Sequence, residues 1–356
     1  MRLDVLQKRN LSTAYRIILA GMIISLVYPL FADGFTELIP YINSFFIGLI
    51  GGVFVSLCEL EFFQGRMIFR SFLQRVALKT LVYFIAFVIV IPSVILFSES
   101  FYYGKGIKTH FYSEEFQNFI FKEDFGIILI YALAFICIVI FVREMSLKLG
   151  QGVLWNYLTG RYHKPRQEKR VFMFIDLYNS TSLAEQMGGI TFHAFINDFV
   201  KDLTDSILAF EGIIYRYVGD QIDITWRVSK GSKNANCIRA YLAAQNAIYR
   251  KREKYLKKYG FIPRFITSMH CGEVVIGQLG DVKSQIVYMG DTIHEIGQIE
   301  KEFKHADLEA PVLISDTLLE HLKVPALFEV KKIGTLQGMK QQINVFSLVE
   351  KHEMST

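Results

Sequence analysis

The sequence predicts two architectures in series: an all-helical membrane bundle of four spans, then an α+β domain. Three observations predict it. The 356 residues are 52% hydrophobic with a mean hydropathy of +0.29, too apolar for an ordinary soluble enzyme. That excess lies mostly before Arg143, in four stretches that each approach the roughly 20 apolar residues needed to cross a bilayer core as a helix. After Arg166 both charge signs are interspersed, and short strand and helix patterns alternate.

The four spans read as residues 17–35, 41–60, 80–97 and 125–142. The first follows a basic N-terminus in the manner of a signal peptide, but three more spans succeed it and no convincing cleavage site is present, so it reads as retained. Arg2, Lys8, Arg9 and Arg16 precede it. Arg66, Arg70, Arg75 and Lys79 occupy the second connection, and Arg143 and Lys148 follow the fourth span. The first connection, around Asp33 and Glu37, has no basic residue. The positive-inside rule then puts both termini in the cytoplasm, with the chain multi-pass in the plasma (inner) membrane. The long, aromatic connection 98–124 is the main external feature. Gly48 and Gly52 form a GxxxG pattern that lets helices approach closely, a dimer contact being one use. Glu59 and Glu61 read as interfacial carboxylates near Arg66.

Composition also excludes classes. A net charge of +5 is too small for a dedicated nucleic-acid binder. The four cysteines are scattered singly, without disulfide or zinc spacing, which suits a reducing compartment. The expected division is a membrane domain over 1–142, a helical linker over 143–168 that Gly160 and Pro165 interrupt, a catalytic domain over 169–350 and a tail over 351–356.

Within the second part, 171–175 reads as a strand, 182–187 and 192–210 as helices, 213–218 and 222–226 as strands about Gly219-Asp220, and 235–259 as one long helix. Residues 264–270 and 273–278 read as a hairpin turning at Cys271-Gly272. A helix from Asp291, a strand at 312–314 and two closing strands complete a sheet with helices on one face. Asp176 follows an apolar strand and precedes the small polar run Asn179-Ser180-Thr181-Ser182, where the amides of a starting helix would face phosphate oxygens. Asp220 sits at the tip of a strand-Gly-Asp-strand turn. Singly each aspartate suits a cap or a turn. At the ends of neighbouring strands they form a two-carboxylate site of the kind that holds Mg²⁺ against a triphosphate.

In order and spacing, Phe172-Met173-Phe174-Ile175-Asp176-Leu177 with Ser180-Thr181, Gly212 through Gly219-Asp220, His270-Cys271-Gly272-Glu273-Val274 and Gly290-Asp291 resemble the catalytic domain of class III adenylate/guanylate cyclases. The lead-in from Leu158 to Pro165 resembles the membrane-anchored bacterial branch. The resemblance implies a ferredoxin-like domain that dimerises head to tail, with ATP, or less often GTP, bound at the interface. The nucleotide's 3′-oxygen attacks its α-phosphorus, giving cyclic AMP and pyrophosphate. Asp176, Asp220 and the carbonyl of Leu177 would hold two Mg²⁺ or Mn²⁺ ions. Asn179, Ser180 and Thr181 would face the β- and γ-phosphates, and Lys340 falls next to a basic phosphate-contacting position.

The chain departs from the family elsewhere. The purine-contacting lysine is Arg216, and its acceptor falls at Val287 or Gln285, neither of which carries a charge. The ribose asparagine and transition-state arginine fall at His294 and Gln298. A homodimer would have metals at both sites and that arginine at neither. A heterodimer with a paralogue would have one complete site. Three readings follow: a cyclase regulated through its membrane domain, an impaired cyclase-like domain that binds nucleotide or completes a partner, and a receptor whose second domain only mediates assembly.

Overall fold

The computed structural model describes residues 2–32, 34, 38–63, 71–122, 125–150, 152–303 and 312–350. It divides into two compact units, Leu3–Lys148 and Leu149–Thr356. Asp33, Phe35, Glu37, Arg66, Arg70 and Asp124 lie outside the described residues, as do the side chains of Arg2, Lys8 and Arg9.

The first unit is helical: α1 (Arg2–Ser25), α2 (Val27–Ala32), α3 (Ile39–Leu57) with a π-turn at Cys58–Phe62, α4 (Phe72–Tyr102), α5 (Ile107–Phe111), α6 (Glu114–Phe121) and α7 (Phe125–Leu149). Four segments, Asn10–Ala32, Ile39–Phe62, Phe72–Tyr102 and Phe125–Leu149, are long and apolar enough to cross a membrane. They outrun the apolar stretches, because helix propagates into polar flanks wherever a cap allows. Ser71 accepts a hydrogen bond from the Gln74 amide (3.2 Å) and so starts α4 eight residues before the first apolar turn expected at residue 80.

The glycine pattern works within the chain. A Cβ on Gly48 would lie 2.7 Å from the Gly21 carbonyl oxygen, and one on Gly52 would lie 2.8 Å from the Ile18 Cα, so this face of α3 is taken up by α1. Glu59 is buried among the helices of its own unit, while Arg66, its expected neighbour, lies outside the described residues. The π-turn carries it inward to 6% exposure. There it accepts from Lys79 Nζ at 2.9 Å and Tyr83 Oη at 2.8 Å, with Arg143 at 3.2 Å. Lys79 also bonds Glu144 at 2.8 Å, tying α3, α4 and α7 around one buried cation. Glu61 remains exposed. The long third connection is folded: α5 and α6 pack back so that Phe116 is buried with Ile91 and Ile95, and His110 bonds Glu99 at 2.9 Å.

The expected linker helix breaks early. α7 ends at Leu149, and Gly150 and Gly152 take φ of +97° and +71°, before α8 (Val153–Leu158) resumes. The second unit continues with β1 (Arg166–Leu177), α9 (Ser180–Met187), α10 (Gly189–Ala209), β2 (Ile213–Val218), β3 (Gln221–Arg227), α11 (Val228–Gly231), α12 (Asn236–Arg250), α13 (Arg252–Tyr259), β4 (Phe265–Leu279), β5 (Gln285–Met289), α14 (Asp291–Phe303), β6 (Val312–Ser315), α15 (Asp316–Leu319), β7 (Phe328–Gln337) and β8 (Gln342–Glu350). The mixed sheet runs β2-β3-β1-β4-β6-β8-β7, with β5 on β4; among the described residues only β4 and β6 are parallel.

β1 is central and buried on both faces, hence its unbroken apolar run. Val171, Met173, Ile175 and Leu177 pack with Phe195, Phe199 and Leu203 of α10 and Ile238 and Ala244 of α12. Phe172 and Phe174 point the other way, under Ile296 of α14. Both faces are therefore covered, where one was expected. The expected hairpin at Cys271-Gly272 is instead one continuous strand, β4, because its two halves serve different neighbours: Thr267 to Met269 pair with β6, and Val275 to Leu279 pair with β5. Gly272 serves close approach; a Cβ there would lie 2.3 Å from Thr292 Oγ1 of α14. The long helix expected over 235–259 breaks at Lys251, whose φ is −103°.

Replacing Lys79 by Met leaves two buried carboxylates without their shared cation and should destabilise the first unit by about 3–5 kcal/mol. The triple variant Glu59→Gln, Lys79→Met, Glu144→Gln removes the central charge altogether and should recover most of that loss. Denaturant unfolding of the detergent-solubilised protein, followed by helical circular dichroism, measures both.

Candidate active site

β1 and β3 are antiparallel with Ile175 opposite Ile222, so the C-terminal end of β1 lies beside the N-terminal end of β3. Asp176 is the residue after Ile175, at 4% exposure, and sits opposite Ile266 of β4. Asp220 closes the two-residue turn between β2 and β3, where Val218 pairs with Gln221 and Gly219 takes φ +64°. The two carboxylates thus belong to neighbouring strands at one end of the sheet. Asp220 Oδ2 is buried without a hydrogen-bond partner. An unsatisfied buried carboxylate oxygen is costly, and a divalent cation is one group that would satisfy it.

The chain leaves this end of the sheet along a fixed path. The Tyr178 amide donates to the Arg264 carbonyl at 2.8 Å, and Asn179 takes the left-handed conformation (φ 55°, ψ 34°). α9 then begins at Ser180, and Asn179 makes no side-chain capping bond to it, so the first amides of the helix are left for another acceptor. Leu177 is fully buried beside Asp176.

A second group forms across β2, β3 and α14. Arg216, Phe174, Gln221, His294 and Lys301 line one cleft. His294 and Gln298 are both exposed on α14. Arg216 has a carboxylate partner that sequence reasoning missed: its Nε bonds Asp223 Oδ2 at 2.6 Å, while Gln221 donates to Asp223 Oδ1. Asp223 is fully buried, and burial pushes its carboxyl up against the opposing pull of the guanidinium. Hairpin register was the available signal, since Arg216 and Asp223 are opposed across β2 and β3. Gln285 and Val287 lie instead on β5, opposite Leu279 and Gly277, the first exposed and the second half-buried.

Lys340 stands apart from both groups, at the tip of the β7–β8 hairpin. Its side chain is 83% exposed and reaches Asp291 Oδ2 at 3.0 Å, and this carboxylate holds the ammonium above its usual range.

No protein-family model matches the chain. Over 223 residues it is 36% identical to adenylate cyclase 2 of Rhizobium meliloti (strain 1021), a match that covers 62% of this chain and 61% of the relative. A 25% match over 189 residues to an adenylate cyclase of Anabaena cylindrica covers 51% of this chain and 36% of that protein. The chain thus spans about three fifths of the first relative and about a third of the second. A bacterial light-regulated adenylyl cyclase superposes with a TM-score of 0.53 at 15% identity, over 65% of this chain and 67% of that one, which shows the shared fold. In sequence the chain is thus similar to adenylate cyclases, its second unit has the fold of class III nucleotidyl cyclases, and the four apolar helices that precede it suggest membrane anchoring.

Proposed function

We propose that the protein is a membrane-anchored adenylate cyclase, converting ATP to cyclic AMP and pyrophosphate at the interface of two second units and regulated through the first. The observation that carries this is the pair Asp176 and Asp220 at one end of adjacent strands, with one oxygen of Asp220 buried and unsatisfied. These two carboxylates and the Leu177 carbonyl would hold Mg²⁺ or Mn²⁺. Among the described residues no group of three His, Cys, Asp or Glu side chains is placed to share an ion, so the triphosphate's own oxygens would complete the coordination. The bound ions supply a lowered pKa for the 3′-hydroxyl and counter-charge for the triphosphate.

The chain's own groups then orient the reactants. The amides of Asn179, Ser180 and Thr181 face the terminal phosphates, where a helix N-terminus favours an anion. The new bond joins the 3′-oxygen to the α-phosphorus, and the bond from that phosphorus to the β-phosphate oxygen breaks to release pyrophosphate. Arg216, held by Asp223, offers donors to the purine edge from the cleft it shares with His294. The Lys and Arg distribution supports a cytoplasmic catalytic unit in the inner membrane. Regulation by the first unit rests on continuity of the chain from α7.

The exposed pair His294 and Gln298 favours a second reading, a domain that binds nucleotide but needs a paralogue to supply the transition-state cation. Glutamine donates a hydrogen bond and brings no charge, and losing an arginine at such a place costs on the order of 10³–10⁵ in rate.

Full-length protein with Mn²⁺ and ATP should release cyclic AMP, and Asp176→Ala or Asp220→Ala should lower turnover by at least about 10²–10³ without moving the unfolding midpoint downward. Chelating the divalent ion should silence the wild type, and adding Mn²⁺ back should restore it. A wild type that stays silent with metal present, while His294→Asn with Gln298→Arg gains activity, would favour the heterodimer reading over the homodimer. The same double variant in an active homodimer should raise kcat more than it lowers KM.

A further inference from the structure

One polar network in the second unit is left unused by this reading. His270 of β4 is 2% exposed, yet both ring nitrogens are engaged. Nδ1 lies 2.9 Å from Ser315 Oγ and 3.2 Å from Thr317 Oγ1, and Nε2 lies 3.1 Å from Glu295 Oε2 of α14. A carboxylate only accepts, so Nε2 carries a proton toward Glu295, and the Ser315 and Thr317 hydroxyls meet the other nitrogen. The second oxygen of Glu295 accepts from the Met339 amide at 3.1 Å. Met339 immediately precedes Lys340, so this one carboxylate links a buried histidine to the tip of the β7–β8 hairpin.

The hairpin is shaped for that contact. The Gly338 amide donates to the Gln341 carbonyl at 3.0 Å, closing a tight turn. A Cβ on Gly338 would lie 2.9 Å from Glu295 Oε1 and 2.6 Å from the Gln341 carbonyl oxygen. Only a residue without a side chain allows the tip to settle on Glu295. Thr292, one turn before Glu295, donates to the Glu273 carbonyl at 2.8 Å and seats α14 on β4. The hydrogen bond from His270 holds the Glu295 carboxyl below its usual range, so it stays an ionised acceptor at neutral pH.

We propose that Glu295, oriented by His270, is a positioning residue: through the Met339 amide it fixes the hairpin tip so that Lys340 is presented, across the interface of two second units, to the polyphosphate of the nucleotide bound by the other copy. This rests on the cyclase reading. Lys340 needs such help, because its ammonium is exposed and its present partner, Asp291, is itself partly exposed. A flexible side chain on a loose tip would sample many directions. On a fixed tip it need only exchange Asp291 for a phosphate oxygen.

Steady-state kinetics of the full-length protein with ATP and Mn²⁺ test this on Glu295→Ala, Lys340→Ala and their combination. Glu295→Ala should raise KM for ATP about tenfold with kcat little changed, the signature of lost uniform binding. Glu295→Gln, whose amide oxygen can still accept from Met339, should recover most of that rise. In the Lys340→Ala background Glu295→Ala should add nothing, because the two changes remove one interaction. Gly338→Ala, which leaves the buried histidine untouched, should reproduce the KM change if Glu295→Ala proves poorly folded. Wild-type turnover with an unaltered KM in Glu295→Ala, or an equal effect with and without Lys340, overturns the positioning role alone. A wild type that neither binds nor converts ATP overturns the cyclase reading and the positioning role with it.

Discussion

β1 is hydrogen-bonded along both edges, to β3 and to β4, and buried on both faces, so its position is determined from four directions at once. That constraint places the candidate site. Because β3 runs antiparallel beside it, the end of β1 and the β2–β3 turn meet, and two aspartates far apart in sequence come to one end of the sheet. The same strand explains α14. The alternate side chains of β1, Phe172 and Phe174, need cover on the second face, and the helix that covers them also carries His294, Glu295 and Gln298.

Buried charge in this molecule is nearly always answered. Lys79 in the first unit serves two glutamates, Asp223 is met by Arg216 and Gln221, and Asp202 by Lys251 and Tyr255. Such pairs contribute less to net stability than their geometry suggests, since desolvation offsets much of the Coulomb gain. Their effect is to specify which elements meet. Among the described residues Asp220 is the carboxylate with a buried oxygen to which the chain provides no donor, while the Nε atoms of Arg75 and Arg161 likewise lack a hydrogen-bond partner.

The geometry of the candidate site depends on how the strands and α14 are held against each other. Gly272 lets α14 approach β4, and Gly338 lets the β7–β8 tip approach α14. Neither glycine has a positive φ. Both act by leaving room for a neighbour rather than by easing a turn, which is why a reading that treats every glycine as a turn signal misplaces a hairpin at Cys271-Gly272. Gly150 and Gly152 act by conformation instead: both take positive φ, follow the fourth apolar span and end α7 before the next helix begins.

Local chemistry is written along the chain, and so much of the protein was legible there. Apolar length gave the four spans, a short unbroken apolar run gave β1, and the strand-Gly-Asp-strand pattern gave the turn that carries Asp220. Relations between distant segments were not legible. Asp223 answers Arg216 only once hairpin register is known, and Glu59 meets Lys79 only because a π-turn rotates it inward. Glu295 reads as one polar residue on an amphipathic helix until β4 brings His270 to one of its oxygens and a hairpin brings the Met339 amide to the other. Residue type and spacing decide which groups a segment offers; which of them meet is decided by packing, because a buried carboxylate takes whatever donor the fold delivers to it.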